Sequence, residues 1–167
     1  MKEILRVNLP NFKNSYEVEW FDDIDFLKLK EVKQVYGLFF NEEGKLLIIN
    51  TIGNWQLPGG KPEPGEKFIE TLLREADEEA DIEVGNIIPL GYQRVKDTKS
   101  GKDLGIQLRY FGKIIKLRPS TIDPSSGNIP KREFIDPERF LDYCPWGKIG
   151  LYIAKKAKKA FLDLNSS

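Results

Sequence analysis

Three glutamates on one predicted helix have the residue type and spacing to hold a divalent metal ion. Apolar residues recur at helical spacing through residues 66–80, which predicts an amphipathic helix. On a helical wheel Glu75, Glu78 and Glu79 share an arc of roughly 100° beside the apolar stripe. Such carboxylates repel one another, and Arg74 alone cannot balance them. Oxygen-only ligation suits Mg²⁺ or Mn²⁺. The alternative is a solvated helix laced with ion pairs.

A loop rich in glycine and proline leads into this helix over residues 58–66, with the sequence PGGKPEPGE. Glycine allows a backbone carbonyl or amide to approach a metal or phosphate closely. Amides at the start of a helix also favour anions. The loop and the helix together therefore predict a site for a cation and a phosphate.

Composition excludes several other kinds of catalytic site. The 167 residues contain no histidine and one cysteine, Cys144, so triads, Cys–His dyads, Cys/His zinc sites and internal disulfides are ruled out. Proton transfer must use carboxylates, lysine, tyrosine or water. Lys plus Arg and Asp plus Glu both number 26, which argues against a broad nucleic-acid-binding surface.

The elements that must position the site form an alternating pattern along the chain. Two short strands joined at Pro10 and Asn11 belong to an N-terminal extension over residues 1–32, which we expect to pack on a main domain over 33–167. The main domain begins with a predicted hairpin of strands 34–40 and 45–50. Longer strands follow at 87–95 and 104–116, then a surface loop at 119–131, a short strand at 133–135 and a helix at 148–162.

The apolar runs are of strand length, far short of the ~20 residues that cross a membrane. The N-terminus lacks the apolar stretch of a signal peptide. With a lone thiol, these features predict a cytoplasmic protein.

The loop and helix together resemble the Nudix box, the signature of the Nudix hydrolases, over residues 60–82. The matching residues are Gly60, Glu66, Arg74, Glu75, Glu78 and Glu79. Trp55 to Gly60 also resembles the usual entry to the box. One position departs, because Asp81 stands where the box has glycine. Asp adopts a positive φ at some cost, so we expect an altered helix end and retained catalysis.

The resemblance implies an α/β fold, with a mixed sheet sandwiched between helices. It also implies hydrolysis of a nucleoside diphosphate linked to another moiety, with Mg²⁺ or Mn²⁺ as cofactor. The metal ligands would be the carbonyl of Gly59 and the side chains of Glu75, Glu78 and Glu79. Arg74 would orient these acids and Glu66 would support the loop. The general base would be Glu78 or Glu79 in the box, or Glu133 outside it, for which the alternative is a surface charge.

Substrate choice depends on residues outside the box, and the accessory signatures of known subfamilies are missing. A nucleotide sugar and a nucleoside triphosphate both stay open. Arg94, Gln107 and Arg109 alternate on strands and could bind substrate, or be ordinary exposed strand residues. Tyr92, Tyr110 and Trp146 could stack on a base, although core packing is the default. The alternative function is a nucleotide-binding or regulatory module without turnover. A homodimer, with residues 1–32 pairing, is one of the assemblies left open.

Overall fold

One mixed β-sheet organises the chain. The computed structural model describes residues 1–9 and 12–166, so the predicted joint at Pro10 and Asn11 lies outside it. Within the described ranges the sheet has nine strands: β1 (Lys2–Leu9), β2 (Phe12–Phe21), β3 (Val32–Phe40), β4 (Leu46–Asn50), β5 (Trp55–Gln56), β6 (Gly59–Gly60), β7 (Ile82–Asp97), β8 (Asp103–Leu117) and β9 (Lys131–Ile135). The predicted strands are all present, and β7 begins at Ile82 rather than at residue 87.

The strands run in the order β1-β2-β7-β8-β3-β4-β5, with β6 paired to β3 and β9 paired to β4. The β3–β8 pair is parallel and the other pairs are antiparallel. The register places Tyr36 opposite Arg109, and Gln107 opposite both Gln34 and Gln93. Because side chains alternate between the two faces of a strand, these polar residues share one face of the sheet.

Helices cover both faces of the sheet, as predicted. Helix α1 (Phe68–Ala80) packs on one face, where Val35, Phe39 and Leu47 are buried. Helices α2 (Phe140–Tyr143) and α3 (Gly147–Asn165) pack on the other face, over residues such as Leu38 and Phe40. Consecutive residues of β3 and β4 are therefore apolar and buried on both sides. The α/β class with a sheet between helices is confirmed.

The N-terminal residues form two strands of the same sheet. Strand β2 pairs with β7, where Trp20 lies opposite Gln93. Strand β1 pairs with the other side of β2 and forms the edge of the sheet. The carboxylate of Glu3 accepts hydrogen bonds from the amides of Lys148 and Ile149 at 3.0 and 2.7 Å. This contact satisfies free amides at the start of α3 and suits its dipole. The hairpin thus fixes the position of α3.

Within the described ranges, the structure contains no helix with the length and apolar character needed to cross a membrane.

Candidate active site

The buried face of α1 differs from the predicted apolar stripe, because it includes Glu79. Its buried residues are Thr71, Leu72, Ala76, Glu79 and Ala80. Ile69 and Leu73, which the stripe included, are 47% and 41% exposed. The cause is the contact between α1 and β6. The glycine backbone of β6 lies against the side of α1 that carries Glu75 and Glu79. The glutamate cluster therefore extends into the protein.

Arg74 connects the box acids to one another. Its Nε and Nη2 donate to the two carboxylate oxygens of Glu66 at 2.7 and 3.0 Å. Its Nη1 donates to Glu75 at 2.9 Å and to Glu78 at 3.3 Å, and Nη2 also reaches the carbonyl of Lys61 at 3.2 Å. A planar guanidinium makes this set of contacts where an ammonium cannot. Arg74 therefore contacts three acids of the box at once, and its role in orienting them stays a prediction.

Glu66 joins the loop to the helix. Besides Arg74, its carboxylate accepts hydrogen bonds from the Thr71 hydroxyl at 2.6 Å and from the Glu63 amide at 3.0 Å. The hydrogen bonds from Arg74 are the main reason that the pKa of Glu66 falls to about 2. Since α1 begins at Phe68, Glu66 lies in the preceding turn rather than in the helix.

Two glycines allow the backbone of β6 to pass close to the acids. A Cβ on Gly60 would overlap the carboxylate of Glu75, and a Cβ on Gly59 would overlap the carbonyl oxygen of Val35. The Gly59 amide donates to Glu79 Oε1 at 2.8 Å. The side-chain-free backbone is therefore what brings this strand into contact with two of the box glutamates.

Burial disfavours the charged forms of two acids at this site. Glu79 is 8% exposed, and burial raises its pKa to about 8, with further contributions from the charges of Glu75 and Asp123, while the Gly59 amide opposes the rise. Burial also raises the pKa of Glu75, against the opposing effect of Arg74. Both acids are thus held where a cation would stabilise their charged forms.

The buried Glu79 carboxyl predicts a pH dependence of stability. Its pKa of about 8 lies above the ordinary value of 4.5. Between those pH values the folded chain holds a proton that the unfolded chain has lost, so stability falls as pH rises. Without divalent metal, we expect the free energy of unfolding to fall by about 3 kcal/mol more in wild type than in Glu79→Gln between pH 5.5 and 8. Denaturant titrations in EDTA measure this, and equal slopes in both proteins would contradict it.

The donor set fits a hard divalent cation, although the acids are engaged elsewhere in this structure. Every candidate ligand is an oxygen, and the lack of a Cβ on Gly60 allows the Glu75 carboxylate to lie against the backbone of β6. In residues 1–9 and 12–166 no three Cys, Asp or Glu residues are arranged as a ready metal cluster. Glu75 and Glu78 face Arg74, and Glu79 faces the Gly59 amide. Each of these hydrogen bonds uses one oxygen of its carboxylate.

Glu133 lies apart from α1. It sits within β9, opposite Ile48 of β4, rather than at the end of a loop. Because paired residues share a face, Glu133 lies on the side of the sheet that α2 and α3 cover. There its carboxylate accepts a hydrogen bond from the Tyr143 hydroxyl at 3.4 Å. Its role as a base remains a hypothesis.

A pocket with a volume of about 760 Å³ opens on the face covered by α2 and α3. Aromatic and amide side chains line it, among them Tyr36, Trp55, Gln93, Gln107, Tyr143 and Trp146. The N-terminal hairpin contributes one wall through Leu5, Val7, Tyr16 and Val18. Tyr36 connects the pocket to the acids, since its ring touches the backbone at Gly59.

Two of the three predicted substrate-binding residues line this pocket and one does not. Arg109 and Gln107 do so, with Arg109 only 1% exposed and its Nη2 donating to Gln107 Oε1 at 3.2 Å. Arg94 is exposed and its Nε lies 3.8 Å from Asp103. Arg94 follows Gln93 in β7, so the alternation of the strand directs it to the opposite face. The structure thus separates Arg94 from the pocket.

The three aromatic candidates also divide between core and pocket. Tyr92 stacks on Phe21 at 4.8 Å, and Tyr110 packs edge-on against Phe26 at 5.2 Å, on the α1 face. Tyr92 and Tyr110 therefore pack in the core and do not line the pocket. Trp146 instead lines the pocket, where its ring centroid is 5.6 Å from the guanidinium carbon of Arg109.

Sequence reasoning missed Asp123, which lies in the predicted surface loop. Asp123 is 3% exposed and contributes to the raised pKa of Glu79. Nothing in its local sequence distinguishes it from other loop residues. The same loop is anchored at Asp81, which takes the left-handed conformation (φ 53°) at the end of α1 and accepts hydrogen bonds from the amide and hydroxyl of Thr121 at 2.8 and 2.6 Å. These contacts offset the cost of a residue with a side chain at this position.

Known proteins resemble this chain over part of its sequence and in its fold. The 8-oxo-dGDP phosphatase NUDT18 of Mus musculus is 40% identical over 53 residues, which are 29% of this chain and 16% of that protein. The Homo sapiens protein gives the same values. The alignment thus spans a small part of these relatives.

Solved structures extend the resemblance to most of the chain. The Bacillus subtilis pyrophosphohydrolase BsRppH superposes with a TM-score of 0.70 at 24% identity, over 87% of this chain and 92% of that one. The NUDIX domain of Shewanella oneidensis NrtR, solved with ADP ribose, has a TM-score of 0.59 at 17% identity, over 82% and 92%. At these identities they share the fold.

The family model described as the NUDIX domain matches residues 30–153. That range contains the box with its acids, α1, and every strand from β3 to β9. This chain belongs to the Nudix family.

Proposed function

We propose that this chain hydrolyses the pyrophosphate bond of a nucleoside diphosphate linked to another moiety, using Mg²⁺ or Mn²⁺. The main support for the proposal is that the box acids and the pocket are joined through two residues in contact, Tyr36 and Gly59. Tyr36 packs against Gly59, whose amide binds Glu79, and the guanidinium of Arg109 lies 4.6 Å from the Tyr36 ring centroid. A nucleotide with its nucleoside in the pocket would direct its phosphates toward the box.

Each residue of the box has a role in this reaction. When bound, the cation would supply Lewis-acid stabilisation of the charge on the phosphate oxygens. The carbonyl of Gly59 and the side chains of Glu75, Glu78 and Glu79 would hold it. Arg74 would position Glu75 and Glu78, which it already contacts at 2.9 and 3.3 Å.

The attacking water must lose a proton, and a carboxylate is the available base. The candidates are Glu78, Glu79 and Glu133. Glu79 has the support of its position in the box, where its carboxylate accepts a hydrogen bond from the Gly59 amide at 2.8 Å. Glu133 has the support of its position on the pocket side of the sheet, near Tyr143.

A substrate panel tests the proposal. The relatives suggest 8-oxo-dGDP and ADP ribose, and nucleotide sugars and nucleoside triphosphates complete the panel. We expect phosphate or nucleotide products from at least one compound with Mg²⁺ or Mn²⁺ and none with EDTA. Absence of turnover on every compound would instead favour a binding or regulatory module.

We further propose a cytoplasmic location, because Cys144 is a buried free thiol and no internal disulfide can form. Cell fractionation with an antibody to the chain would test it.

A further inference from the structure

Arg109 is a buried cation without an anionic partner. It is 1% exposed, and in the part of the chain that the structure describes no carboxylate forms an ion pair with it. Burial lowers its pKa to about 10, so it stays charged at neutral pH. Its Nε is the buried side-chain nitrogen or oxygen that lacks a hydrogen-bond partner among the described residues. The Tyr36 and Trp146 rings lie 4.6 and 5.6 Å from its guanidinium carbon and stabilise part of its charge. The buried Nε–H still has no acceptor, and an unsatisfied buried donor is costly, which indicates that a ligand completes the site.

The guanidinium is fixed in orientation. Nη1 donates to the Leu108 carbonyl at 3.3 Å and Nη2 to Gln107 Oε1 at 3.2 Å. Gln107 is itself held between Gln93 and Gln34, at 2.9 and 3.1 Å. A row of amides across three strands therefore holds the arginine, and its Nε–H and an adjacent Nη–H form a fork with two parallel donors.

The pocket around this fork suits a planar ring. Tyr36, Trp55, Tyr143 and Trp146 line it, and aromatic side chains stack well on nucleobases. A fork of two donors matches two adjacent acceptors. The O6 and N7 atoms of a 6-oxopurine provide them, whereas adenine presents a donor at N6.

We propose that the pocket binds the base of a 6-oxopurine nucleotide, and that Arg109 is the specificity-determining residue, donating to O6 and N7. The inference deepens the proposed function, because it rests on a nucleotide being the substrate. Since Nε is inaccessible to solvent in this structure, a wall of the pocket must shift when the base enters. Trp146 is half-buried and lies farther from the guanidinium than Tyr36 does, at 5.6 against 4.6 Å. We assign the shift to Trp146.

Binding measurements without turnover test the proposal. Calorimetry in EDTA would compare GMP, IMP and AMP, all monophosphates without a pyrophosphate bond. We expect GMP and IMP to bind about ten-fold more tightly than AMP, the discrimination of one bidentate contact. Arg109→Met should bring GMP and IMP to the AMP level. Arg94→Met, an arginine outside the pocket, is the matched control and should keep the preference.

Several results would overturn the proposal. Equal affinity for the three nucleotides would do so, as would an Arg109→Met protein that loses GMP and AMP equally. Displacement of GMP by inorganic pyrophosphate with equal affinity would make the site an anion site instead. In Trp55→Phe, where Trp146 is the remaining indole of the pocket, a fluorescence signal that GMP leaves unchanged would remove the assigned movement.

One further ligand sharpens the comparison. In its diketo form 8-oxoguanine carries hydrogen on N7, so 8-oxo-GMP presents one acceptor and one donor to the fork. We expect it to bind more weakly than GMP, and tighter binding would contradict the assigned edge. Because none of these measurements needs hydrolysis, a chain that binds GMP selectively but turns over nothing would refute only the proposed activity.

Discussion

Replacing Glu79 by glutamine is expected to abolish most turnover while leaving the fold intact. Glutamine cannot carry the negative charge that binds a cation or accept the proton of an attacking water. Its oxygen can still accept the hydrogen bond from the Gly59 amide, which is 2.8 Å long in the structure. We expect kcat/KM to fall by roughly 10²–10⁴-fold. Without divalent metal the melting temperature at neutral pH should stay near that of wild type, because burial raises the pKa of Glu79 to about 8 and the carboxyl that glutamine replaces is mostly neutral there.

The control for this variant is Glu70→Gln on the exposed side of the same helix. It removes a carboxylate from α1 without touching the cluster, and its rate should lie near wild type. Steady-state kinetics with Mg²⁺ and thermal unfolding of both proteins make the comparison. Near-normal turnover in Glu79→Gln would refute the assigned site.

Two related variants test the other acids assigned to the reaction. Glu78→Gln should also lose most turnover, because Glu78 is a proposed ligand. Glu133→Gln should change the pH profile of kcat only if Glu133 is the base. An unchanged rate and profile in Glu133→Gln would leave the base within the box.

Replacing Arg74 is expected to cost both stability and activity. Its side chain is 22% exposed and binds Glu66 with two hydrogen bonds while contacting Glu75 and Glu78. In Arg74→Ala these acids would face one another without a cation, so we expect the free energy of unfolding to fall by about 2–4 kcal/mol. Turnover should fall roughly 10–100-fold, as is typical when a residue that orients metal ligands is lost.

Arg74→Lys and Arg118→Ala are the comparisons. Lysine keeps the charge but not the planar fork, so it should restore part of the stability and little of the activity. Arg118 pairs with Asp77 and Glu83 on the exposed side of the site, and its loss should cost less than about 1 kcal/mol. Wild-type kinetics in Arg74→Lys would contradict a positioning role for the guanidinium.

The sequence alone determined the class of site in this protein. The acids of the box are local, since they lie within one helix and the loop before it, and helical periodicity places them on a common edge. Because the sequence contains no histidine, its composition predicted a metal site with oxygen ligands. The strands and both long helices also followed from local patterns, with errors mainly at their ends, where β7 and α1 begin.

Only the tertiary structure decided which residues meet across the sheet. Arg94 and Arg109 look alike in the sequence, yet the register and face of their strands leave one exposed and bury the other beside Tyr36. Asp123 reaches Glu79 from a loop with no distinguishing pattern. Such contacts depend on pairings between distant segments, and a shift of one residue in a strand reverses every face. The chemistry of the box is therefore encoded locally, while the pocket exists only through the packing of distant strands of the sheet against α2 and α3.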